Sequence, residues 1–123
     1  MYDDPRFRDQ IALLEVEIVA PEMMVLRVLS AEKSGKQSLD AAGLLKIRGS
    51  EIQQRYSELM MLAAGPYSLP FIHEAMEAGW QGNHVGAAYC APLASTYFNY
   101  RKTTIYGGSN EVQRNIVAQT VLG

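Results

Sequence analysis

Apolar side chains at Phe7, Ile11, Leu14, Ile18, Val25 and Val28 recur at three-, four- and seven-residue steps, which predicts a helix with one inward stripe. Asp4-Pro5 supplies its start, because Asp caps free N–H groups and Pro fits the first helical position. Pro21 interrupts the stripe. An interior proline removes one backbone bond and costs ~3 kcal/mol, so a bend near Val19-Ala20 or two abutting helices is expected. The polar run Glu32-Lys33-Ser34-Gly35-Lys36-Gln37 reads as a turn. A second helix, capped by Ser38 or Asp40, keeps Leu45, Ile52, Leu59 and Ala63 on one face. Gly65-Pro66 stops it, since glycine accepts the left-handed closing conformation and proline cannot extend a helix.

Residues 66–92 break the periodicity, with glycines at 79, 82 and 86, prolines at 66, 70 and 92, and scattered aromatics. A short helix over Phe71 to Ala78 is compatible with this interval. The remainder reads as a long ordered loop, of a length that is uncommon in compact domains and often functional. A third helix is predicted from Leu93 to Thr104, with Tyr97, Arg101 and Ile105 in line. After Gly107-Gly108 a fourth begins at Ser109 and carries Val112, Ile116, Val117 and Val121. No strand-like alternation of useful length and no repeat occurs. The expected fold is an all-α, antiparallel up-and-down four-helix bundle with one long ordered loop between helices 2 and 3.

Composition narrows the function. The 123 residues carry 13 acidic and 11 basic side chains, 48 % apolar residues and 20 % charged ones, which excludes a disordered tail or a charged coiled coil. A formal charge of −2 argues against gripping nucleic acid, which needs a basic face. One cysteine, Cys90, cannot form an intrachain disulfide and points to a reducing compartment. The acidic N-terminus does not resemble a secretory signal or a mitochondrial presequence, and Leu59 to Ala64 is far too short to cross a bilayer. A soluble, cytoplasmic protein is expected. His73 and His84 have only Glu74 and Cys90 nearby, a spacing that matches no zinc site, so no metal is expected. Cys90 is expected as a small buried hydrophobe, Glu15, Glu17 and Glu22 as a solvated helix face, and Met23-Met24 and Met60-Met61 as core filler. Trp80 and Tyr67 anchor the long loop or pack over a ligand or partner.

The segment with most chemical content is Ile105-Tyr106-Gly107-Gly108-Ser109-Asn110-Glu111-Val112-Gln113-Arg114-Asn115. It places two glycines and a hydroxyl at a helix mouth, where free N–H groups and the positive end of the dipole favour an anion such as a pyrophosphate. Glu111 competes for the same N–H groups and would equally accept hydrogen bonds from a ribose or an adenine. The residues alone also fit an ordinary glycine turn capped by Ser109.

Tyr106 to Gly123 closely resembles the C-terminal end of acyl-CoA dehydrogenases. Arg101 ahead of Ile105-Tyr106, Asp4-Pro5 before a Leu/Glu-rich helix, and Leu62-Ala63-Ala64-Gly65-Pro66 extend the resemblance more loosely. The resemblance covers this whole chain and about the last third of such an enzyme. It implies that residues 1–123 form the C-terminal helical bundle of a larger flavoenzyme whose N-terminal helical and middle β domains are absent here. Such enzymes bind FAD and oxidise an acyl-CoA to its 2-enoyl form. A carboxylate takes the α-proton and the β-hydrogen leaves as hydride. The resemblance assigns Ser109, Glu111 and Gly65 to the cofactor, Gly65 towards the flavin of a neighbouring subunit. It assigns Tyr106, Gly107 and Gly108 to the substrate site. It further implies homo- or hetero-oligomers and electron-transferring flavoprotein as acceptor.

Two departures follow from the same comparison. Gly107 stands where several branches carry the catalytic glutamate, and glycine has no side chain to take a proton. Its backbone N–H remains able to polarise a thioester carbonyl. Met61 stands where many relatives have a flavin-contacting glutamine. The chain is therefore expected to lack a catalytic residue, to be inactive alone, and to self-associate through exposed helix faces. The alternatives are a stand-alone helical interaction module and a non-catalytic subunit that completes the site of another chain.

Overall fold

Asp4 and Pro5 open the first helix as their chemistry demands. In the computed structural model, which describes residues 3–33 and 39–122, helix α1 spans Pro5–Lys33 and the Asp4 carboxylate accepts the Arg6 N–H at 2.9 Å. The helix runs continuously through Pro21, which corrects the alternative of two abutting helices. Proline forfeits its own backbone bond, but α1 packs on α2 (Leu39–Ala64), and the buried Leu14 and half-buried Met24 and Val28 stand on either side of it. The inward row is Phe7, Ile11, Leu14, Glu17, Pro21, Met24 and Val28, whereas Ile18 and Val25 face outward. Steps averaging about 3.5 residues keep one seam against a partner helix, and Ile18 and Val25 lie one position off it. Glu32 and Lys33, the first two residues of the predicted turn over 32–37, are helical instead. The remainder of that turn and the Ser38 cap lie outside the described residues.

Helix α2 is the axis of the molecule. The other three helices pack on it, and among the described residues they touch one another only slightly. Leu59 is buried as predicted, Leu45 and Ile52 are half-buried, and Ala63 is exposed. Gly65 closes the helix at φ +59°, and a 3-10 turn over Gly65–Ser68 follows. Helix α3 (Leu93–Tyr100) passes into a 3-10 turn at Arg101–Thr104, and α4 spans Asn110–Leu122. Arg101 bonds Gln54, Asn110 bonds Ser50, and Val117 lies beside Gly43. Thus α3 runs back along the second half of α2, and α4 continues along its first half. The all-α, four-helix architecture is as expected, with no strand among the described residues.

In α4 the inward side chains are Asn110, Gln113 and Val117, while Val112, Ile116 and Val121 are exposed. That reverses most of the predicted stripe. Gly43 explains it: a Cβ there would lie 2.9 Å from Val117 Cγ2 and 3.1 Å from Gln113 Oε1, so α4 sits close against a glycine. The long loop carries a 3-10 turn at His73–Met76 rather than a helix over Phe71 to Ala78, and another at Ala88–Cys90. Glycines stack on its aromatic rings. A Cβ on Gly82 would enter the Trp80 indole, and one on Gly86 would lie 2.7 Å from the Tyr67 ring. Those contacts bear out Trp80 and Tyr67 as anchors of an ordered loop.

Candidate functional site

Arg101–Ser109 connects α3 to α4, and α2 holds it with a row of polar side chains. Lys46, Ser50, Gln54 and Ser57 recur at three- and four-residue steps, so they share one face of α2. Gln54 Nε2 donates to the carbonyls of Tyr100 at 3.2 Å and Arg101 at 3.1 Å, satisfying groups that a helix end leaves unpaired. Arg101 returns a bond to the Gln54 carbonyl at 2.8 Å and lies over the Tyr97 ring, 4.2 Å from its centroid. Lys46 Nζ donates to Asn110 Oδ1 at 2.7 Å, and Ser50 Oγ, 3.2 Å from the same oxygen, shares its one proton between it and the Ile47 carbonyl at 2.8 Å. Sequence reasoning missed this row because the helix was read by its apolar residues. The signal was the polar spacing at 46, 50, 54 and 57.

Between these anchors lies the glycine turn. Gly107 and Gly108 adopt φ of +68° and +83°, a region that side-chain-bearing residues rarely occupy. Nothing stands where a Gly107 Cβ would point. A Cβ on Gly108 would instead lie 2.6 Å from Gln113 Nε2, which bonds the Gly107 carbonyl at 3.0 Å. The turn is thus tied down from α4 and open in front. Tyr106 and Gly107 line a cavity of about 300 Å³ together with Lys46, Gly49, Ser50, Gln53 and Thr103. Lys46 is the one charged residue among them, and the wall is mainly apolar with no carboxylate, the Lys46, Ser50 and Thr103 side chains being bonded to Asn110, Ile47 and Tyr100.

Ser109 caps α4, its Oγ accepting the Val112 N–H at 3.4 Å. Glu111 is exposed, and its carboxyl is held below the usual carboxylate range, first by its own backbone N–H and then by the Ser109 hydroxyl. The carboxylate therefore already engages the amide end of α4. A pyrophosphate at that end would meet a like charge, contrary to the anion preference of the bare pattern. Donor groups such as ribose hydroxyls or the N–H groups of an adenine or isoalloxazine ring do fit Glu111, and a flat ring can approach Gly107 where no side chain projects.

The structure brings Tyr106, Gly107, Gly108, Ser109 and Glu111 into one locality and leaves Gly65 apart. Gly49 lies in the cavity described above, whereas Gly65 follows the other end of α2, roughly 24 Å away at ~1.5 Å per residue. There it lines a separate, mainly apolar cavity of about 410 Å³ with Met61, Leu62, Leu69 and Tyr97. Met61 is a wall of that cavity, which corrects its reading as core filler. Glu17 is likewise not a purely solvated residue. It lies 3.9 Å from Arg48, which also pairs with Glu51 at 2.8 Å. Cys90 is buried. His73 and His84 are exposed, and among the described residues no three His, Cys, Asp or Glu side chains gather as a metal ion would require. No helix among them is long and apolar enough to cross a membrane.

Comparison with known proteins gives this arrangement a context. The family model for the acyl-CoA dehydrogenase C-terminal domain matches residues 1–122. Acyl-CoA dehydrogenase IpdE1 of Mycolicibacterium smegmatis is 27 % identical over 121 residues, covering 98 % of this chain and 26 % of the relative. The chain thus spans about a quarter of the length of that relative. No solved structure gives a significant match. A match over nearly every residue, on an all-helical fold whose last helix follows the Tyr-Gly-Gly-Ser turn, places the chain in the acyl-CoA dehydrogenase family, as a C-terminal domain of that family.

Proposed function

We propose that the chain acts as the C-terminal domain of an FAD-dependent acyl-CoA dehydrogenase, in the α,β-oxidation of an acyl-CoA to a 2-enoyl-CoA. The observation that carries this reading is the open turn at Gly107, beside a mainly apolar cavity. Its backbone N–H would donate to the thioester oxygen and so acidify the α-carbon, a role that needs no side chain. Tyr106 and Gly108 would shape the approach of the acyl chain, and Ser109 and Glu111 would contact the cofactor. FAD, when bound, supplies the acceptor for the β-hydrogen as hydride. The separation of Gly65 from this turn suits contact with a second flavin, one belonging to a neighbouring subunit, and its apolar cavity suits an aromatic ring.

No carboxylate lines the cavity at Tyr106 and Gly107, so the proton acceptor would come from another segment or another chain. That favours a hetero-oligomeric partner subunit as the second reading. Electron-transferring flavoprotein would then reoxidise the enzyme, in the cytoplasm that a buried free thiol suits. The test uses the protein as the cell makes it, with whatever chains accompany it. It should purify yellow and reduce an electron-accepting dye on addition of acyl-CoA. A colourless, inert protein would leave only a helical interaction module. A co-purifying chain that carries the base would identify the partner-subunit form.

A further inference from the structure

Asn110 is the first residue of α4, buried at 5 % exposure, and lies two residues past the glycine pair. Its side-chain oxygen accepts from Lys46 Nζ at 2.7 Å and lies 3.2 Å from Ser50 Oγ, whose single proton is shared with the Ile47 carbonyl at 2.8 Å. A lysine ammonium is strongly hydrated and normally reaches into water or to a carboxylate. Here it is half-buried, among the described residues no carboxylate lies within 4 Å of it, and its partner is a neutral amide on another helix. A charge-assisted bond of that length is among the stronger ones available to a side chain. The same lysine lines the cavity with Tyr106 and Gly107, so it joins the position of α4 to the floor of the proposed site.

We infer that Lys46, aided by Ser50, is the positioning residue through which α2 sets the Gly107–Ser109 turn, acting on Asn110. This deepens the reading proposed above, in which that turn contacts flavin and thioester. Arg101 and Gln54 fix the other end of the segment, so the turn is suspended between two polar anchors on one helix. Removing the Lys46 anchor frees the start of α4 and leaves the Gln54 anchor in place.

Hydrogen exchange on the full chain tests this without any cofactor. The Gln113 amide donates to the Ser109 carbonyl at 2.9 Å and the Val112 amide to Ser109 Oγ, so both report on the turn. Lys46→Met should speed their exchange about tenfold, from the loss of one charged hydrogen bond, and leave the amides around Leu59 within about twofold. Lys46→Arg should restore most of the protection, and Lys46→Met should add little once Asn110→Ala is present. Unchanged exchange at Val112 and Gln113, or equal acceleration throughout the chain, would overturn the inference. If Lys46→Met does not fold, Asn110→Ala carries the same expectation at the same amides. Titration of the native assembly with FAD is a separate readout. If wild type binds no flavin, the proposed function fails while the exchange result still decides the role of Lys46.

Discussion

Gly107 combines a left-handed backbone with empty space where a Cβ would stand, so Gly107→Ala probes backbone strain alone. It should cost about 1–2 kcal/mol of stability, read by denaturant unfolding. Gly49 has the same empty surroundings but sits inside α2 without a positive φ, so Gly49→Ala should instead stabilise by about 0.5–1 kcal/mol. The pair separates conformational cost from cavity filling. Glu111 adds a pH dependence. Its carboxyl titrates below the usual range when folded, so its stabilising bonds are present above the ordinary glutamate value and vanish as pH falls through the lowered one. Wild type should therefore melt higher than Glu111→Gln at pH 7, with the two melting curves converging on acidification. A gap that is constant with pH would contradict that origin.

The helices of this chain were readable from the start. Asp4-Pro5 began α1, Gly65-Pro66 ended α2, and Ser109 capped α4, because each signal acts within a few residues of its own backbone. Which face each helix buries was less readable. Ile18, Val112 and Ile116 are apolar yet exposed, while Ser50, Ser57, Thr103 and Asn110 are polar yet buried, so an apolar count pointed to the wrong side. Long-range bonding decided it: Gln54 and Arg101 are separated by 47 residues, and nothing local announces their pairing. The glycine turn was legible as a motif, but its anchors on α2 were not. Gln54→Ala should cost about 1 kcal/mol, because it removes the bonds that tie α2 to the carbonyls at the end of α3, which keep the Thr103 and Thr104 hydroxyls as donors. Gly43→Ala should destabilise by about 1 kcal/mol net, since overpacking against Val117 outweighs the gain in helix propensity. A rise in unfolding free energy for Gly43→Ala would place α4 farther from α2 than the structure has it.

Beyond its own core, the molecule presents a broad apolar face. Leu13, Val16, Val19, Met23, Leu26 and Leu29 on α1 are each more than half exposed, on the side turned away from α2. Contiguous apolar surface of that kind on a small protein marks a contact face. Self-association is therefore expected at micromolar concentration. Val16→Glu with Leu26→Glu should shift sedimentation to monomer and leave the helical circular dichroism within about a tenth of wild type. A strictly monomeric wild type would remove α1 as the association face. The two polar ends of the site sit elsewhere, on α2 and the turn before α4, so assembly through α1 leaves the turn accessible to a cofactor. Whether the turn is used in that way is decided by titrating FAD into the native, full-length protein and following the quenching of flavin fluorescence, wild type beside Glu111→Ala. A cofactor contact at this turn predicts saturable binding by wild type and about tenfold weaker binding by the variant, with both still folded at the assay temperature. Equal affinity in the two proteins, or a wild type that quenches no flavin fluorescence over the titration, would contradict it.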